Sequence, residues 1–283
     1  MIGVTGAMGG VGSRVVRHLL GRANVVAVLA RQPDAVPATP SLVSRFADYD
    51  DPASLRAAFA HLHTLVFISS DGVAETMRRH HEHVVAATVE AGVEHVVYMS
   101  IVDVSPDSGF YYAAVHRETE ALLAESGIQH CFGRTSIFTD YFVSTWLAPA
   151  LAEGALALPA GEGRMSLVTR DDTARALAAA AAKRHRGVVE LTGPEALTGA
   201  EICALTEATT GRPIRYAALE ADEYRRRLAG EGAPAWLIEA FASLFASVEA
   251  GRFAGVSEDG PRLTGRPQEP YADFIRRSEI PEA

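Results

Sequence analysis

A chain of 283 residues with 48% hydrophobic and 22% charged residues is long enough for one large α/β domain, alone or with a smaller partner. The formal net charge of −9 argues against nucleic acid as a direct partner, because phosphate binding needs a concentrated basic face. Two cysteines, Cys131 and Cys203, are too few for a disulfide framework and fit a reducing compartment. With no apolar segment long enough to span a bilayer and no signal peptide before the first strand, we expect a cytoplasmic protein without a membrane partner.

The N-terminal segment predicts a strand, a tight turn and the start of a helix. Residues 1–4 are apolar, glycines follow at positions 6, 9 and 12, and apolar residues from 13 to 20 fall on one helical face. In this geometry one glycine permits the turn, one lets the backbone approach a pyrophosphate, and one lets the helix pack on the strand. Backbone N–H groups and the positive end of the helix then face the phosphates. We therefore predict a dinucleotide-binding site here.

The residue after the second predicted strand bears on the choice of coenzyme. Residues 24–30 have the pattern of a buried strand, and Arg31 follows, with no acidic residue before Asp34. At this position of a dinucleotide-binding fold an acidic side chain binds the ribose 2′-hydroxyl, whereas an arginine accommodates a 2′-phosphate. The sequence therefore favours NADP(H) over NAD, with an exposed loop arginine without function as the alternative.

Strands and helices alternate along the first half of the chain. The predicted strands are 41–46, 64–68, 95–99 and 128–133, and the predicted helices are 52–61, capped by Asp51, then 73–91 and 113–126. Such alternation predicts a Rossmann-type, doubly wound parallel sheet with helices on both faces. In these sheets ligands bind at the carboxyl ends of the strands, and the residues predicted at such ends are Gly6, Arg31, Ser69, Ser70 and Ser100.

Beyond Arg134 the alternation is less regular. The segment 135–146 is aromatic and partly loop-like. Asp171 is the predicted N-cap of a long helix, and Thr198 and Glu201 have the spacing of a capping box at the start of another. These signals indicate that helices dominate after the last strand of the sheet.

The last third of the chain is predicted to be mainly helical, and its composition suggests a lobe that covers the active edge of the sheet. Helices are expected at 222–227 and 234–250, followed by an irregular segment at 252–270 that is rich in glycine and proline. We expect a Rossmann domain at 1–192, with 135–160 on its substrate side, and a smaller, mostly helical lobe at 193–283.

Short segments distributed in order along nearly the whole chain carry a resemblance to a known family. They are 5–12, 30–31, 48–49, 68–70, His81, 91–93, 98–100, 116–120, 126–128, 138–142 and 191–194. In this combination the chain resembles the NmrA-like, atypical branch of the short-chain dehydrogenase/reductases, and within it the quinone and triphenylmethane reductases. The glycine loop alone is common to many families, so the specificity lies in the combination.

The resemblance implies a Rossmann domain that binds NADPH beside a small C-terminal substrate domain. By position, it assigns the coenzyme to Thr5, Gly6, Met8, Gly9, Gly10, Val11, Arg31, Ser69, Ser70 and Ser100. It places His81, Phe138, Tyr141 and Phe142 on the substrate side. Arg31 would meet the 2′-phosphate, the two adjacent serines the adenosine half, and Ser100 the nicotinamide.

The same resemblance points to a departure among the catalytic residues. Ordinary members of the superfamily use a serine, a tyrosine and a lysine four positions later that lowers the pKa of the tyrosine. Here the serine is Ser100, the tyrosine is Tyr112, and His116 stands at the lysine position. A neutral histidine supplies little positive charge, so proton transfer by Tyr112 is in doubt, and His116 would hold the ribose or donate the proton itself. A capping or surface histidine at a helix start is the alternative.

Two further groups of residues, one rich in histidine and one aromatic, are more typical of a structural role than of a metal site or a uniform pocket. His80, His81, Glu82 and His83 lack matching distant ligands, and neighbouring helical positions point apart, so we predict no metal site. The aromatic residues at 138, 141, 142 and 146 have helical spacing, so some of them are expected in the core and others in a pocket.

The leading hypothesis is an NADPH-dependent oxidoreductase without flavin that transfers a hydride to a quinone or similar planar conjugated acceptor. Quinone reduction tolerates a weak proton donor, because most of the catalysis is placement of the acceptor against the coenzyme. A coenzyme-sensing regulator without turnover is the alternative from another class, and a reductase of an imine, enone or lactone is a third. A small molecule is the expected partner, and homodimer formation is left open.

Overall fold

The structure is a computed structural model, and it describes residues 1–22, 25–36 and 39–278. Its strands are β1 Ile2–Val4, β2 Val26–Ala30, β3 Leu42–Phe46, β4 Thr64–Ile68, β5 His95–Ile101, β6 Gln129–Thr135, β7 Ala155–Leu158, β8 Arg164–Met165, β9 Gly187–Leu191, β10 Leu197–Thr198 and β11 Arg215–Ala218. Its α-helices are α1 Gly12–Leu20, α2 Pro52–Phe59, α3 Ala74–Glu90, α4 Ala113–Glu125, α5 Thr139–Phe142, α6 Ala148–Glu153, α7 Arg170–Lys183, α8 Gly199–Thr210, α9 Ala221–Gly230, α10 Ala235–Glu249, α11 Asp259–Thr264 and α12 Tyr271–Arg277.

The main sheet of the described residues has seven strands in the order β3-β2-β1-β4-β5-β6-β9, and each neighbouring pair is parallel. Every residue of β2 and β4 is buried, as expected for parallel strands covered on both faces. After β3 the chain crosses back and places β4 beside β1, which opens a crevice at the carboxyl ends of these two strands. The predicted Rossmann-type, doubly wound sheet is confirmed.

Helices cover both faces of the sheet because alternate strand residues point to opposite sides. On one face, Val28, Val66 and Val97 share a core with apolar residues of α1 and α7. On the other face, Leu29 and Phe67 share a core with residues of α2, α3 and α4. The late helix α11 returns to the first face, where it packs on α7 and β9.

A further apolar core lies beyond the sheet and combines residues 137–167 with residues 197–275. It is called the second core below, to distinguish it from the apolar core on the two faces of the sheet. Trp146, which is buried, packs edge-on against Phe245 with ring centroids 5.1 Å apart. Its Nε1 donates a hydrogen bond to Tyr224 Oη at 3.0 Å. The helix that carries Trp146 begins as α5, passes through a π-helical stretch and continues as α6. The second core is mainly helical, and part of it comes from chain that precedes β9.

The cap of α7 and the segment 252–270 differ from the sequence prediction. The cap of α7 is Thr169, whose side chain accepts a hydrogen bond from Asp172 N at 3.0 Å. Asp171 is not the cap, because it already lies within the first turn of the helix. The segment 252–270 is not wholly irregular, since it contains α11, which ends at Gly265 in the left-handed conformation.

Local signals for helix starts are confirmed at two places. Asp51 Oδ1 accepts hydrogen bonds from two backbone N–H groups at the start of α2. Thr198 and Glu201 form the full reciprocal capping box at the start of α8.

Residue 24, where the second predicted strand began, lies outside the described residues, and the observed strand begins at Val26. In the part of the chain that the structure describes, no helix is both long and apolar enough to cross a membrane.

The second core provides a stability prediction. Phe245 is fully buried and packs against Trp146 and Tyr224. Phe245→Ala is expected to lower the free energy of unfolding by about 3–5 kcal/mol, because the vacated volume loses its apolar contacts. Phe46→Ala, at a side chain that is 48% exposed, is the matched control and should change it by less than about 0.5 kcal/mol. Urea denaturation followed by circular dichroism measures both, and equal losses would contradict the assignment of this core.

Candidate active site at the carboxyl ends of the strands

The glycine loop lies in the crevice between β1 and β4. Gly6 has a φ of +55°, a left-handed conformation that favours glycine, and Gly9 N donates to Gly6 O at 2.9 Å. A Cβ placed on Gly12 would lie 2.2 Å from Gly6 O, so only glycine lets α1 begin this close to the turn. Met8, Gly9 and Gly10 are exposed. The loop therefore presents open backbone at a helix start, an arrangement that binds phosphate groups.

Two side chains fix the loop to its surroundings. Thr5 is buried, and its Oγ1 accepts a hydrogen bond from Ile68 N of β4 at 2.9 Å. Val11 is buried in the core under α1. Of the residues predicted to surround a pyrophosphate, Thr5 and Val11 hold the loop in place, whereas the exposed residues between them face the crevice.

Three arginines surround the loop, and their partners differ. Arg31, directly after β2, is exposed and forms no ion pair or hydrogen bond with another described residue. Arg14 Nη1 donates to Gly10 O at 2.5 Å, and its Nη2 lies 3.6 Å from Asp140 Oδ1. Arg170, at the start of α7, lies against Gly10. The edge of the sheet therefore carries positive charge on both sides of the glycine loop.

The two serines after β4 are each paired with a histidine of α3. Ser69 Oγ lies 3.1 Å from His81 Nε2 and donates to Ser70 O at 2.8 Å. Ser70 Oγ lies 3.1 Å from His80 Nδ1, and the other ring nitrogen of His80 lies 3.1 Å from Asp50 Oδ1. Helix α3 therefore fixes the segment that follows β4.

The histidines in the middle of α3 have separate partners. His80 and His81 contact the two serines, and His83 Nδ1 donates to Tyr49 O at 2.8 Å. Within the described ranges, no group of three or more histidine, cysteine, aspartate or glutamate side chains is arranged to hold a metal ion.

Behind the serines, His81 and His116 lie in the core between the sheet and the helices α3 and α4. His81 is 1% exposed, and its Nδ1 lies 2.8 Å from Thr119 Oγ1. His116 is 5% exposed, and its Nδ1 lies 2.7 Å from Tyr98 Oη. Burial lowers the pKa of His81 to about 2, with a contribution from His116, and lowers the pKa of His116 to about 3. Both imidazoles are therefore neutral at pH 7.

Ser100 takes part in an internal hydrogen-bonded network. It is fully buried, and its Oγ donates to Glu120 Oε1 at 2.6 Å. Arg134 of β6 donates to both oxygens of the same carboxylate, at 3.0 and 2.6 Å, which is the bidentate geometry that an arginine favours. The network links β5, α4 and β6. The Ser100 hydroxyl is therefore hydrogen-bonded inside the fold. Nδ1 of His116 is hydrogen-bonded there as well, to Tyr98 Oη.

Tyr112 lies just before α4, in a loop that contacts the segment after β4. Tyr112 Oη donates to Gly72 O at 3.1 Å, and the neighbouring Tyr111 Oη accepts from Ala74 N at 3.1 Å. Tyr111 N in turn donates to Ser243 Oγ of α10 at 3.0 Å. Burial raises the pKa of Tyr112 well above its ordinary value. Tyr112 is therefore a weaker acid than a tyrosine in water.

The aromatic segment around α5 divides between an accessible wall and the second core. Phe138 and Tyr141 are partly exposed, and Arg170 Cζ lies 5.5 and 5.6 Å from the centroids of their rings. Phe142 is fully buried and packs on Trp146, with ring centroids 5.6 Å apart. Two of the aromatic residues predicted on the substrate side therefore lie beside the glycine loop, whereas Phe142, like His81, lies in the interior.

Sequence reasoning missed Arg170, Asp140 and Glu120. Asp140 Oδ2 accepts a hydrogen bond from Arg170 N at 2.8 Å, which fixes the start of α7. Arg170 follows residues 166–169, of which only Leu167 and Val168 are apolar, so no strand-like run marked it in the way that residues 24–30 marked Arg31. Glu120 had no such signal either, because its partners lie on two different strands.

The buried histidines predict a dependence of stability on pH. In the unfolded chain each histidine has a pKa of about 6.5, so it takes up a proton below that pH, whereas in the folded protein it stays neutral down to about pH 3. The stabilisation is therefore complete above about pH 6.5 and is lost as the pH falls, by about 1.4 kcal/mol per pH unit for each histidine. His116→Gln should reduce the slope between about pH 6.5 and pH 5 by that amount.

Urea denaturation at several pH values measures this slope. His63→Gln, at an exposed histidine, is the control and should leave the slope unchanged. A His116→Gln protein with the wild-type slope would show that His116 is protonated in the folded state, against its observed burial.

Full-length relatives share both the sequence and the fold. An NAD(P)H azoreductase of Xenophilus azovorans is 31% identical over 283 residues, which cover 98% of this chain and 97% of the relative. The NADPH-dependent quinone oxidoreductase of Escherichia coli, solved with NADPH, has a TM-score of 0.91 at 28% identity and covers 97% of this chain and 98% of its own. The triphenylmethane reductase of a Citrobacter species, solved with NADP(H), has a TM-score of 0.89 at 27% identity, with 98% and 99% covered.

The family assignment rests on nearly the whole length of the chain. The profile of the NmrA-like family matches residues 1–258, which include the glycine loop, the seven-stranded sheet and most of the second core. Taken with the crevice at the ends of β1 and β4, this match shows that the chain belongs to the NmrA-like family.

Proposed function

We propose that this protein is an NADPH-dependent oxidoreductase that transfers a hydride to a quinone or a similar planar conjugated acceptor. The observation that carries the proposal is the glycine crevice with the unpaired Arg31 at the end of β2. Support also comes from the relatives, which are named as azo, quinone and triphenylmethane reductases and are NAD(P)H-dependent or were solved with NADP(H). Such substrates have extended conjugation in common.

The crevice fits a 2′-phosphorylated dinucleotide. The contact between Gly12 and Gly6 O leaves no room for a side chain, so a diphosphate would meet backbone at the start of α1. Arg31 has no partner within the described part of the chain, so its guanidinium is available for the 2′-phosphate. Ser69 and Ser70, which α3 holds in place, would line the adenosine half.

The acceptor would lie beside Phe138 and Tyr141. Bound NADPH supplies the hydride, and one further proton from water completes the reduction of a quinone to its hydroquinone. The two partly exposed rings offer a flat apolar wall on which a planar acceptor can stack. The protein would then accelerate the reaction mainly by holding the acceptor against the coenzyme.

The positions of Ser100, Tyr112 and His116 agree with a modest requirement for proton donation. Ser100 is bonded to Glu120, and His116 is neutral, with only its Nε2 left for the ribose or the acceptor. Tyr112 has a raised pKa and no lysine four positions later. We therefore assign Ser100 and His116 to the support of the site and Tyr112 to the acceptor side, where it contacts the acceptor without acting as a strong acid.

A coenzyme-sensing regulator is the second candidate. The internal contacts of Ser100 and His116 favour it, since a sensor needs the crevice and no proton donor. A reductase of an imine, enone or lactone would use the same crevice with the same wall. The leading proposal includes a small-molecule acceptor and a cytoplasmic location.

The proposal is tested by turnover and by coenzyme selectivity. The purified protein is expected to oxidise NADPH in the presence of naphthoquinones, seen as loss of NADPH absorbance. Arg31→Ala should raise the KM for NADPH about tenfold or more and leave the KM for NADH unchanged, because hydrogen bonds to a charged group contribute about 1.5–3 kcal/mol. Arg56→Ala on α2, where the arginine is paired with Glu90, is the control. Tight NADPH binding without turnover on any quinone of a broad panel would favour the sensor.

Tyr112→Phe tests the role of the tyrosine. Since burial makes Tyr112 a weak acid, we expect kcat with a quinone to fall by less than about tenfold, whereas a general acid contributes about a hundredfold or more. Tyr111→Phe is the matched control, because its hydroxyl contacts the same segment through Ala74 N. A fall of more than a hundredfold in kcat for Tyr112→Phe alone, with unchanged NADPH affinity, would make Tyr112 the proton donor.

A further inference from the structure

Arg170 fills the space between the glycine loop and the aromatic wall. A Cβ built on Gly10 would lie 3.0 Å from Arg170 Cδ and 3.1 Å from its Nε, so the side chain crosses directly over this part of the loop. On its other side, Arg170 Cζ lies 5.5 Å from the ring centroid of Phe138 and 5.6 Å from that of Tyr141. One side chain therefore contacts both the coenzyme side and the acceptor side of the crevice.

The guanidinium of Arg170 is held in place without being neutralised. Its backbone N–H donates to Asp140 Oδ2 at 2.8 Å, which fixes the first residue of α7. The guanidinium itself forms no ion pair and no hydrogen bond within the described residues. The neighbouring carboxylates have other partners: Asp140 lies 3.6 Å from Arg14, and Asp171 lies 3.0 Å from His18 Nε2. The cation–π contacts with the two rings do not neutralise the guanidinium, so its charge is available to an anion.

We propose that Arg170 binds the diphosphate of the coenzyme from the acceptor side of the glycine loop and thereby couples coenzyme binding to the position of the Phe138–Tyr141 wall. The proposal rests on the dinucleotide site of the proposed function and adds a residue that links its two halves. A guanidinium binds phosphate oxygens in a bidentate manner and stacks on aromatic faces with the same plane.

The location of Arg170 points to the diphosphate and not to the 2′-phosphate. Its side chain lies over Gly10, within the turn that a diphosphate would occupy, whereas Arg31 lies at the end of the neighbouring strand β2. The diphosphate is common to NADPH and NADH. Arg170 therefore contributes equally to both coenzymes, and selectivity between them belongs to Arg31.

The coupling follows a continuous chain of contacts from the loop into the second core. Arg170 Cζ lies over the Tyr141 ring, 5.6 Å from its centroid, and Tyr141 packs edge-on against Trp146 with ring centroids 5.5 Å apart. When the diphosphate fixes the guanidinium, its plane is fixed as well, and with it the orientation of the Tyr141 ring. A lysine at position 170 would keep the charge but lose the plane that stacks on the rings.

The first experiment measures the binding of both coenzymes by the full-length protein, from the fluorescence of NADPH and NADH. Arg170→Gln is expected to raise both dissociation constants by the same factor, about tenfold to hundredfold, as for a lost charge-assisted hydrogen bond. Arg31→Gln should raise only that for NADPH, and Arg56→Gln on α2 should raise neither. Unchanged constants for Arg170→Gln, or an effect on NADPH alone, would overturn the assignment to the diphosphate.

The second experiment tests the coupling without turnover. In a Trp236→Phe background Trp146 is the only tryptophan, and the binding of NADP⁺, which unlike NADPH does not absorb tryptophan emission, is expected to change its emission. Arg170→Lys should bind NADPH within a few-fold of the parent protein and lose most of this change in emission. The coupling is overturned if the lysine variant shows the full change. Thermal melting of each variant shows whether it is folded.

These outcomes separate the inference from the proposed function. Both measurements are of binding, so they hold whether or not a quinone is reduced. If the parent protein binds neither coenzyme, the proposed function itself fails. If the parent protein binds both and Arg170→Gln does so equally well, only the role of Arg170 fails.

Discussion

The contact between Gly12 and the carbonyl oxygen of Gly6 is the constraint on which the crevice depends. Because a Cβ at this position would lie 2.2 Å from the oxygen, α1 begins directly behind the turn only with glycine. This brings the helix start, the ends of β1 and β4 and the exposed backbone of Gly9 and Gly10 into one small region. Thr5 secures the turn through its bond with the backbone of β4. The turn therefore offers mainly backbone groups to a bound diphosphate.

Behind this backbone site, buried polar groups hold the strand ends and helices in fixed positions. Glu120 joins Ser100 to Arg134, so a charged pair lies under the edge of the sheet. Removing Arg134 would leave the nearly buried carboxylate of Glu120 without its countercharge, which is strongly destabilising. His116 and Tyr98 form a neutral counterpart between the sheet and α4. The positions that carry acid–base chemistry in ordinary members of the superfamily thus contribute to the framework of this site, which fits a reaction that depends on placement.

The sequence was informative at several places where the physical cause is local, although the cap of α7 was placed at Asp171 and not at Thr169. The turn at Gly6 and the capping box at Thr198 depend on residues a few positions apart, and both are confirmed. The roles of Ser100 and Arg170 depend on residues distant in the chain, and no local pattern revealed them. Ser100 donates a hydrogen bond to Glu120, twenty positions later in the chain. Arg170 contacts Gly10 only because the fold packs α7 against α1. The location of a crevice was therefore predictable, whereas the partners of its polar side chains required the structure.

The proposed acceptor wall joins two parts of the molecule, because Phe138 packs on the core around β1 and α1, whereas Tyr141 packs on the second core. Phe138 and Tyr141 lead into α5 and the π-helical stretch, and Trp146 anchors this helix in the second core through Tyr224. We expect substitutions in that core to shift Tyr141 more than the glycine turn, because Tyr141 packs on the second core and the turn does not. Relatives with the same fold reduce azo, quinone and triphenylmethane compounds, as expected if a fixed backbone site is paired with an adaptable wall. Arg170 lies where these two regions meet, between Gly10 and the rings of Phe138 and Tyr141, so the proposed diphosphate site and the proposed acceptor wall share one side chain.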